Sequence, residues 1–128
     1  MTLEEKRRYL EDMKSQRGYI LDFHKIMVAA DLDWVKVYDP FAIATYTGQR
    51  TLDRKTKELL QTVVLAALRA DVAHVQVHVD LALKEGATPQ EVLEALEAVV
   101  LPTGMLGFRT GLLAWAAAVG LEPVETTD

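Results

Sequence analysis

The 128-residue sequence contains no cysteine. That absence excludes a disulfide framework, a thiolate metal ligand and a thiol nucleophile. Proline and glycine are scarce, at 4 and 7 residues, so few positions force the chain to break. No alternating apolar and polar stretch of useful length marks a strand, and no repeat appears at a solenoid period. A basic excess is also missing: 14 Lys and Arg stand against 19 Asp and Glu, for a net charge of -5. With no concentrated Lys/Arg patch either, a nucleic-acid partner is disfavoured, because phosphate binding leaves a basic footprint. The longest mostly apolar stretches, residues 63–68 and 95–101, are far too short to cross a bilayer. The charged opening, Met1-Thr2-Leu3-Glu4-Glu5-Lys6-Arg7-Arg8, leads into no apolar segment of the secretory kind. The expectation is a cytoplasmic protein with no membrane partner.

What is present is globular: half of the residues are hydrophobic and about a quarter charged, in a length that suits one domain over residues 1–128. Helical signals run along the whole chain. Thr2 with Glu5 is a capping box for a first helix reaching about Arg17, and Gly18 ends it. Ile20, Phe23, Ile26 and Met27 have helical spacing for a second helix over residues 19–30. Asp31 then offers a fresh N-cap for a third over residues 34–46, where Pro40 calls for a kink or a break at Asp39. Its aromatics Trp34, Tyr38, Phe41 and Tyr46 are expected in the core and pocket wall. Asp53 can cap a helix over residues 54–70, which from Leu59 to Leu68 has only Gln61 and Thr62 as polar residues. A helix apolar almost all round is a buried one, and so short a chain cannot complete that burial without other subunits. A helical oligomer is the inference.

The stretch that organises the rest runs from Asp71 to Pro89. Asp71 caps it, and Gly86 supplies the left-handed position that ends it. Residues three, four and seven apart share a face, so Asp71, His74, His78, Ala82 and Glu85 line one side. Gln76, Asp80 and Lys84 form a solvent stripe opposite, with Asp80 and Lys84 at pairing distance. Thr88-Pro89-Gln90-Glu91 then combines an N-cap, a proline at N1 and a capping-box glutamate. That helix is expected to reach about Val100, with a break at residues 101–104, and a last one to cover residues 105–119, crowded with small residues that allow close approach. The fold class is all-α, with six or seven helices.

Several side chains on this frame can carry chemistry. His74 and His78, four apart, have the spacing of two metal ligands, with Asp71, Glu58 or His24 as candidates to converge; the favoured reading on spacing alone is that both are hydrogen-bonded packing residues. Asp71 can be a helix cap and also raise the proton affinity of His74. Glu58 sits one turn after Arg54, so it either makes a surface pair with it or reaches the histidine helix and forms an acid/base pair. Arg69 returns to much the same helical face as Glu58 and can hold an anionic substrate, bridge to Asp71 or lie in solvent. Arg109, the only ionisable side chain between Glu97 and Glu122, suits either a subunit contact or a carboxylate clamp. No serine elbow or phosphate-binding glycine motif is present.

The run Leu52-Asp53-Arg54-Lys55-Thr56-Lys57-Glu58-Leu59-Leu60, the segment His78-Val79-Asp80-Leu81-Ala82-Leu83-Lys84-Glu85-Gly86-Ala87-Thr88, and Glu91-Val92-Leu93-Glu94-Ala95-Leu96 together resemble the carboxymuconolactone decarboxylase family, which includes the alkylhydroperoxidase D-like proteins, over about residues 50–119. The resemblance implies an all-helical alkylhydroperoxidase D-like bundle that assembles as homotrimers or homohexamers. In the redox branch two cysteines spaced C-x-x-C precede a relay histidine, and a glutamate on the preceding helix completes the relay. His78 and Glu58 match that histidine and glutamate, with one residue more between them than in the redox pattern, while Asp71 and His74 stand at the cysteine positions. A disulfide-cycling peroxidase is therefore excluded for this chain acting alone.

The resemblance leaves a decarboxylase-like lyase or isomerase acting on a small cyclic carboxylic acid, with no cofactor and no metal. His78 is then the acid/base, Glu58 its orienter, His74 a second proton carrier or oxyanion donor beside Asp71, and Arg109 the carboxylate anchor, with Arg69 a second substrate-binding candidate. The alternative is a non-catalytic oligomeric small-molecule-binding protein on the same scaffold.

Overall fold

The computed structural model describes residues 1–127, and those residues contain seven α-helices and no strand. They divide into two compact units, residues 1–51 and residues 52 onward. Among the described residues no helix is long and apolar enough to cross a membrane.

In the first unit, α1 (Leu3–Arg17) opens on the expected capping box: the Thr2 N–H donates to Glu5 Oε2 at 2.7 Å, and the Glu5 N–H to Thr2 Oγ1 at 3.1 Å. Helix α2 (Asp22–Ala42) replaces the expected second and third helices. Its interruption is at Asp31 (φ -157°, ψ 80°), whose Oδ1 accepts the Trp34 N–H at 3.1 Å and caps the second half. Pro40 brings no break at Asp39: the helix continues to Ala42 and widens into a π-helical turn, Ile43–Thr47. The carbonyl that Pro40 leaves without a donor belongs to exposed Lys36, where water can serve it.

The two helices pack through Met13, Val28, Leu32 and Val35, all buried. Beside them Arg17 pairs with Asp39 at 3.0 Å, and Tyr9 Oη donates to the other Asp39 oxygen at 3.0 Å. Partial burial, and then the carboxylate it donates to, push the Tyr9 phenol up to about 12. Because Leu32, Val35, Asp39 and Ala42 take the inward face, Trp34 and Phe41 fall to the outside, 54% and 65% exposed. The expectation of a core role for them is corrected; only Tyr46 of the four aromatics is buried, and Tyr38 stacks on Trp34 at 5.3 Å.

The second unit is built from α3 (Arg54–Ala67), α4 (Val72–Lys84), α5 (Pro89–Ala98), the single turn α6 (Val100–Thr103) and α7 (Met105–Val119). Helices α3, α4 and α7 pack mutually, and α5 closes on α7 and α3. Their shared core holds Ala66, Val75, Val79, Ala82, Val92, Leu96, Ala114 and Trp115. The caps of α3, α4 and α5 form as expected: Asp53 accepts from Thr56 N–H, Asp71 from His74 N–H, and Thr88 and Glu91 exchange both capping-box bonds at 3.0 Å.

Two boundaries and one expected side-chain pair differ from expectation. Helix α3 stops at Ala67, three residues early, in a Schellman turn in which Ala70 N–H reaches Leu65 O and Arg69 takes φ +57°. The break after α5 comes at Val99, and Pro102, falling in the first turn of α6, is tolerated there. No ion pair joins Asp80 to Lys84; Asp80 is instead partly desolvated, which raises its carboxyl above the usual range.

Close approach of α7 to α3 depends on glycine. A Cβ on Gly107 would stand 2.9 Å from both the Ala66 carbonyl oxygen and Ala67 Cα. The apolar circumference of α3 is not wholly buried in the chain: Leu60, Val64 and Leu68, one turn apart, are 48%, 52% and 74% exposed.

Candidate functional site

Two local features place the polar cluster of the second unit. The Asp53 cap starts α3 so that Arg54 lies in its first turn and Glu58 one turn later, on the side that meets α4. On α4 the buried residues Val75, His78, Val79, Leu81 and Ala82 define the inward face, so the His78 imidazole enters the core with its valine neighbours. His74, one turn earlier, lies at the edge and is half-buried, and Asp71 and Glu85 are exposed.

Glu58 is fully buried at 0% exposure and His78 at 1%. Glu58 Oε2 lies 2.8 Å from His78 Nδ1, and Arg54 Nε donates to Glu58 Oε1 at 2.9 Å. Both carboxylate oxygens are thereby engaged, one by a cation and one by an imidazole. The Thr62 hydroxyl donates to the Glu58 backbone carbonyl at 2.8 Å, and among the described residues no buried side-chain nitrogen or oxygen lacks a partner. The His74 ring lies 5.4 Å from that of His78, tilted by 45°.

Burial holds the His74 imidazole below its ordinary value, and a charge on His78 would lower it further; Asp71 acts in the other direction and is outweighed. The expected rise in His74 proton affinity is thus corrected. The Asp71 carboxylate is exposed to solvent, which screens it, while its Oδ1 accepts the His74 backbone N–H at 2.9 Å.

Glu58 and His78 are therefore in contact, with the His74 ring beside them and Asp71 capping the same helix, whereas Arg69 and Arg109 share no described bond with them. Both arginines are exposed, and none of the described hydrogen bonds or ion pairs ties them to the cluster. Arg69 leaves the Glu58 face because α3 has already ended before it. His24 belongs to the first unit, where Nδ1 accepts the Leu21 N–H at 3.0 Å. Among the described residues no three His, Asp or Glu side chains gather as metal ligands would.

Sequence reasoning passed over Arg54 as part of the site, treating its pairing with Glu58 and the reach of Glu58 to the histidine helix as alternatives. Both occur, one from each oxygen.

The carboxymuconolactone decarboxylase family model matches residues 33–119. The chain belongs to that family. The match begins well before residue 50, inside the second half of α2, so the family domain includes more than the helices that carry the resemblance. No curated protein matches the chain. The chain is a family member without cysteine, and Glu58 and His78, 20 positions apart, are in contact.

Proposed function

We propose that this carboxymuconolactone decarboxylase family domain is a cofactor-free acid–base enzyme, a lyase or isomerase acting on a small cyclic carboxylic acid, with decarboxylation the favoured reaction. The observation that carries the reading is the buried chain Arg54–Glu58–His78 with a second imidazole, His74, beside it. An imidazole whose Nδ1 is fixed by a carboxylate exchanges protons through Nε2 in a set orientation. In the decarboxylation, the bond between the ring carbon and the carboxylate breaks, CO2 leaves, and the electron pair passes into the conjugated lactone carbonyl as an enolate. Protonated His78 then places its proton on carbon, and the ring regains one from water through His74.

His74 serves as second proton carrier or as donor to the enolate oxygen, and Asp71 fixes the backbone that carries it. Arg109, on a helix that packs against both α3 and α4, is the proposed anchor for the substrate carboxylate, and Arg69 a second candidate. The exposed stripe Leu60, Val64 and Leu68 supports assembly as a homotrimer or homohexamer. The reading places the protein in the cytoplasm, with no nucleic-acid or membrane partner.

The test is an ultraviolet assay of the wild type and His78→Ala against carboxymuconolactone and a panel of related lactone and keto acids, after both proteins are shown to assemble alike. Turnover by the wild type that is lost with the imidazole is the expected result. No turnover by the wild type across the panel overturns this reading and leaves a small-molecule-binding protein on the same scaffold as its replacement.

A further inference from the structure

We propose that Arg54 is a positioning residue: by holding one oxygen of Glu58 it sets the direction of the Glu58–His78 hydrogen bond, and so decides which nitrogen of neutral His78 carries the proton.

The argument starts from donors and acceptors. A guanidinium donates only, so Glu58 Oε1, 2.9 Å from Arg54 Nε, is an acceptor. The Glu58 side chain is 0% exposed and that of Arg54 20%, so the guanidinium, reaching in from the edge, supplies compensation that water does not. With the carboxylate ionised, Oε2 is also an acceptor, and at 2.8 Å the His78 Nδ1 must donate to it. A neutral imidazole has one ring proton. With that proton on Nδ1, the lone pair is on Nε2.

Removing the guanidinium reverses the assignment. A carboxylate at this depth without its cation takes up a proton from solvent. The new O–H donates from Oε2 to Nδ1, and the ring proton resides on Nε2. No heavy atom has to move. The basic lone pair is then turned into the carboxyl and away from any substrate. The consequence for turnover rests on the acid–base reading above, but the hydrogen-bond direction is observable without substrate.

The experiment is a nitrogen NMR measurement of the full chain labelled with 15N-histidine, above the pH at which the rings are protonated. Protonated and bare ring nitrogens resonate far apart, and the sequence has only three histidines, assigned through His24→Asn and His74→Gln. Wild type and Arg54→Lys are expected to show His78 as the Nδ1–H form, and Arg54→Gln as the Nε2–H form. Glu58→Gln should also give Nε2–H with Arg54 still present, because Arg54 keeps the amide oxygen and leaves the NH2 group facing Nδ1. An Nε2–H signature in the wild type overturns the proposal, as does an unchanged Nδ1–H signature in folded Arg54→Gln. If Arg54→Gln does not fold, Glu58→Gln decides in the same way: Nε2–H supports the proposal and Nδ1–H sinks it. In the assay, Arg54→Gln should lower kcat at least tenfold with little change in KM, and Arg54→Lys should rescue it. Inverted tautomers with no wild-type turnover would refute the acid–base reading while leaving the role of Arg54 standing.

Discussion

Replacing the buried dyad with apolar side chains, singly and together, separates the energy of the pair from that of its members. Glu58→Met strips His78 Nδ1 of its acceptor inside a dry helix contact, and an unsatisfied buried group costs about 1–3 kcal/mol. Arg54 loses its bond to Glu58 too, but at 20% side-chain exposure water can reach it. Relief of carboxylate desolvation offsets part of the loss, leaving about 1–2 kcal/mol. His78→Leu removes the imidazole that donates to Glu58 Oε2 at 0% exposure, at a cost of about 2–3 kcal/mol. The double variant has neither orphan, since an apolar pair of similar volume replaces a polar one, and it should be destabilised no more than either single. Urea unfolding followed by circular dichroism, at one fixed protein concentration, gives the three differences. The expected coupling is about 2–3 kcal/mol. Losses that add to within about 0.5 kcal/mol would refute the reasoning, because independent sites behave that way.

Three further outcomes follow from features of the same unit and of its helix ends. Since the folded state holds His74 below its ordinary value of 6.5, the unfolded chain binds the proton more readily; stability should fall as pH drops through about 6.5 toward the depressed folded value. The same unfolding series in His74→Gln should lack that component, and an identical pH dependence would remove His74 as its source. Gly107→Ala gains about 1 kcal/mol of helix propensity but drives a methyl into the Ala66–Ala67 backbone at 2.9 Å, so a net loss of about 1–2 kcal/mol is expected in urea unfolding. Arg69→Gly relieves a left-handed conformation at φ +57° and should raise the unfolding free energy by about 0.5–1 kcal/mol; a decrease would mean that the arginine makes a compensating contact.

What could be read from the sequence was whatever depends on neighbours in the chain. The Thr2, Asp31, Asp53, Asp71 and Thr88 caps all form, since each needs only an oxygen and an N–H about three residues apart. Periodicity put His78 on the inward face of α4 for the same local reason. Contacts across helices were less legible. The sequence offered Arg54 and His78 as rival partners for Glu58, and only the packing of α3 on α4 lets a carboxylate serve both. Asp39, read as a point of breakage before proline, is instead a buried acceptor for Arg17 and Tyr9, residues 22 and 30 positions away. The left-handed turn at Arg69 had no signal at all, because glycine is the usual residue there.

The Asp71 cap also bears on what a thiol at its position would cost the fold. The resemblance puts the redox branch's two thiols at positions 71 and 74, and here position 71 terminates α4 through the His74 N–H. Placing cysteine at 71 would exchange a strong capping acceptor for a weak one and weaken the helix by about 1 kcal/mol. A single thiol at either position cannot close a disulfide, so one such substitution alone confers no peroxidase chemistry. A route to the thiol pair through Asp71 would pass through a less stable and still unrewarded intermediate. The helix cap thus acts as a barrier to the entry of sulfur at this turn of the chain.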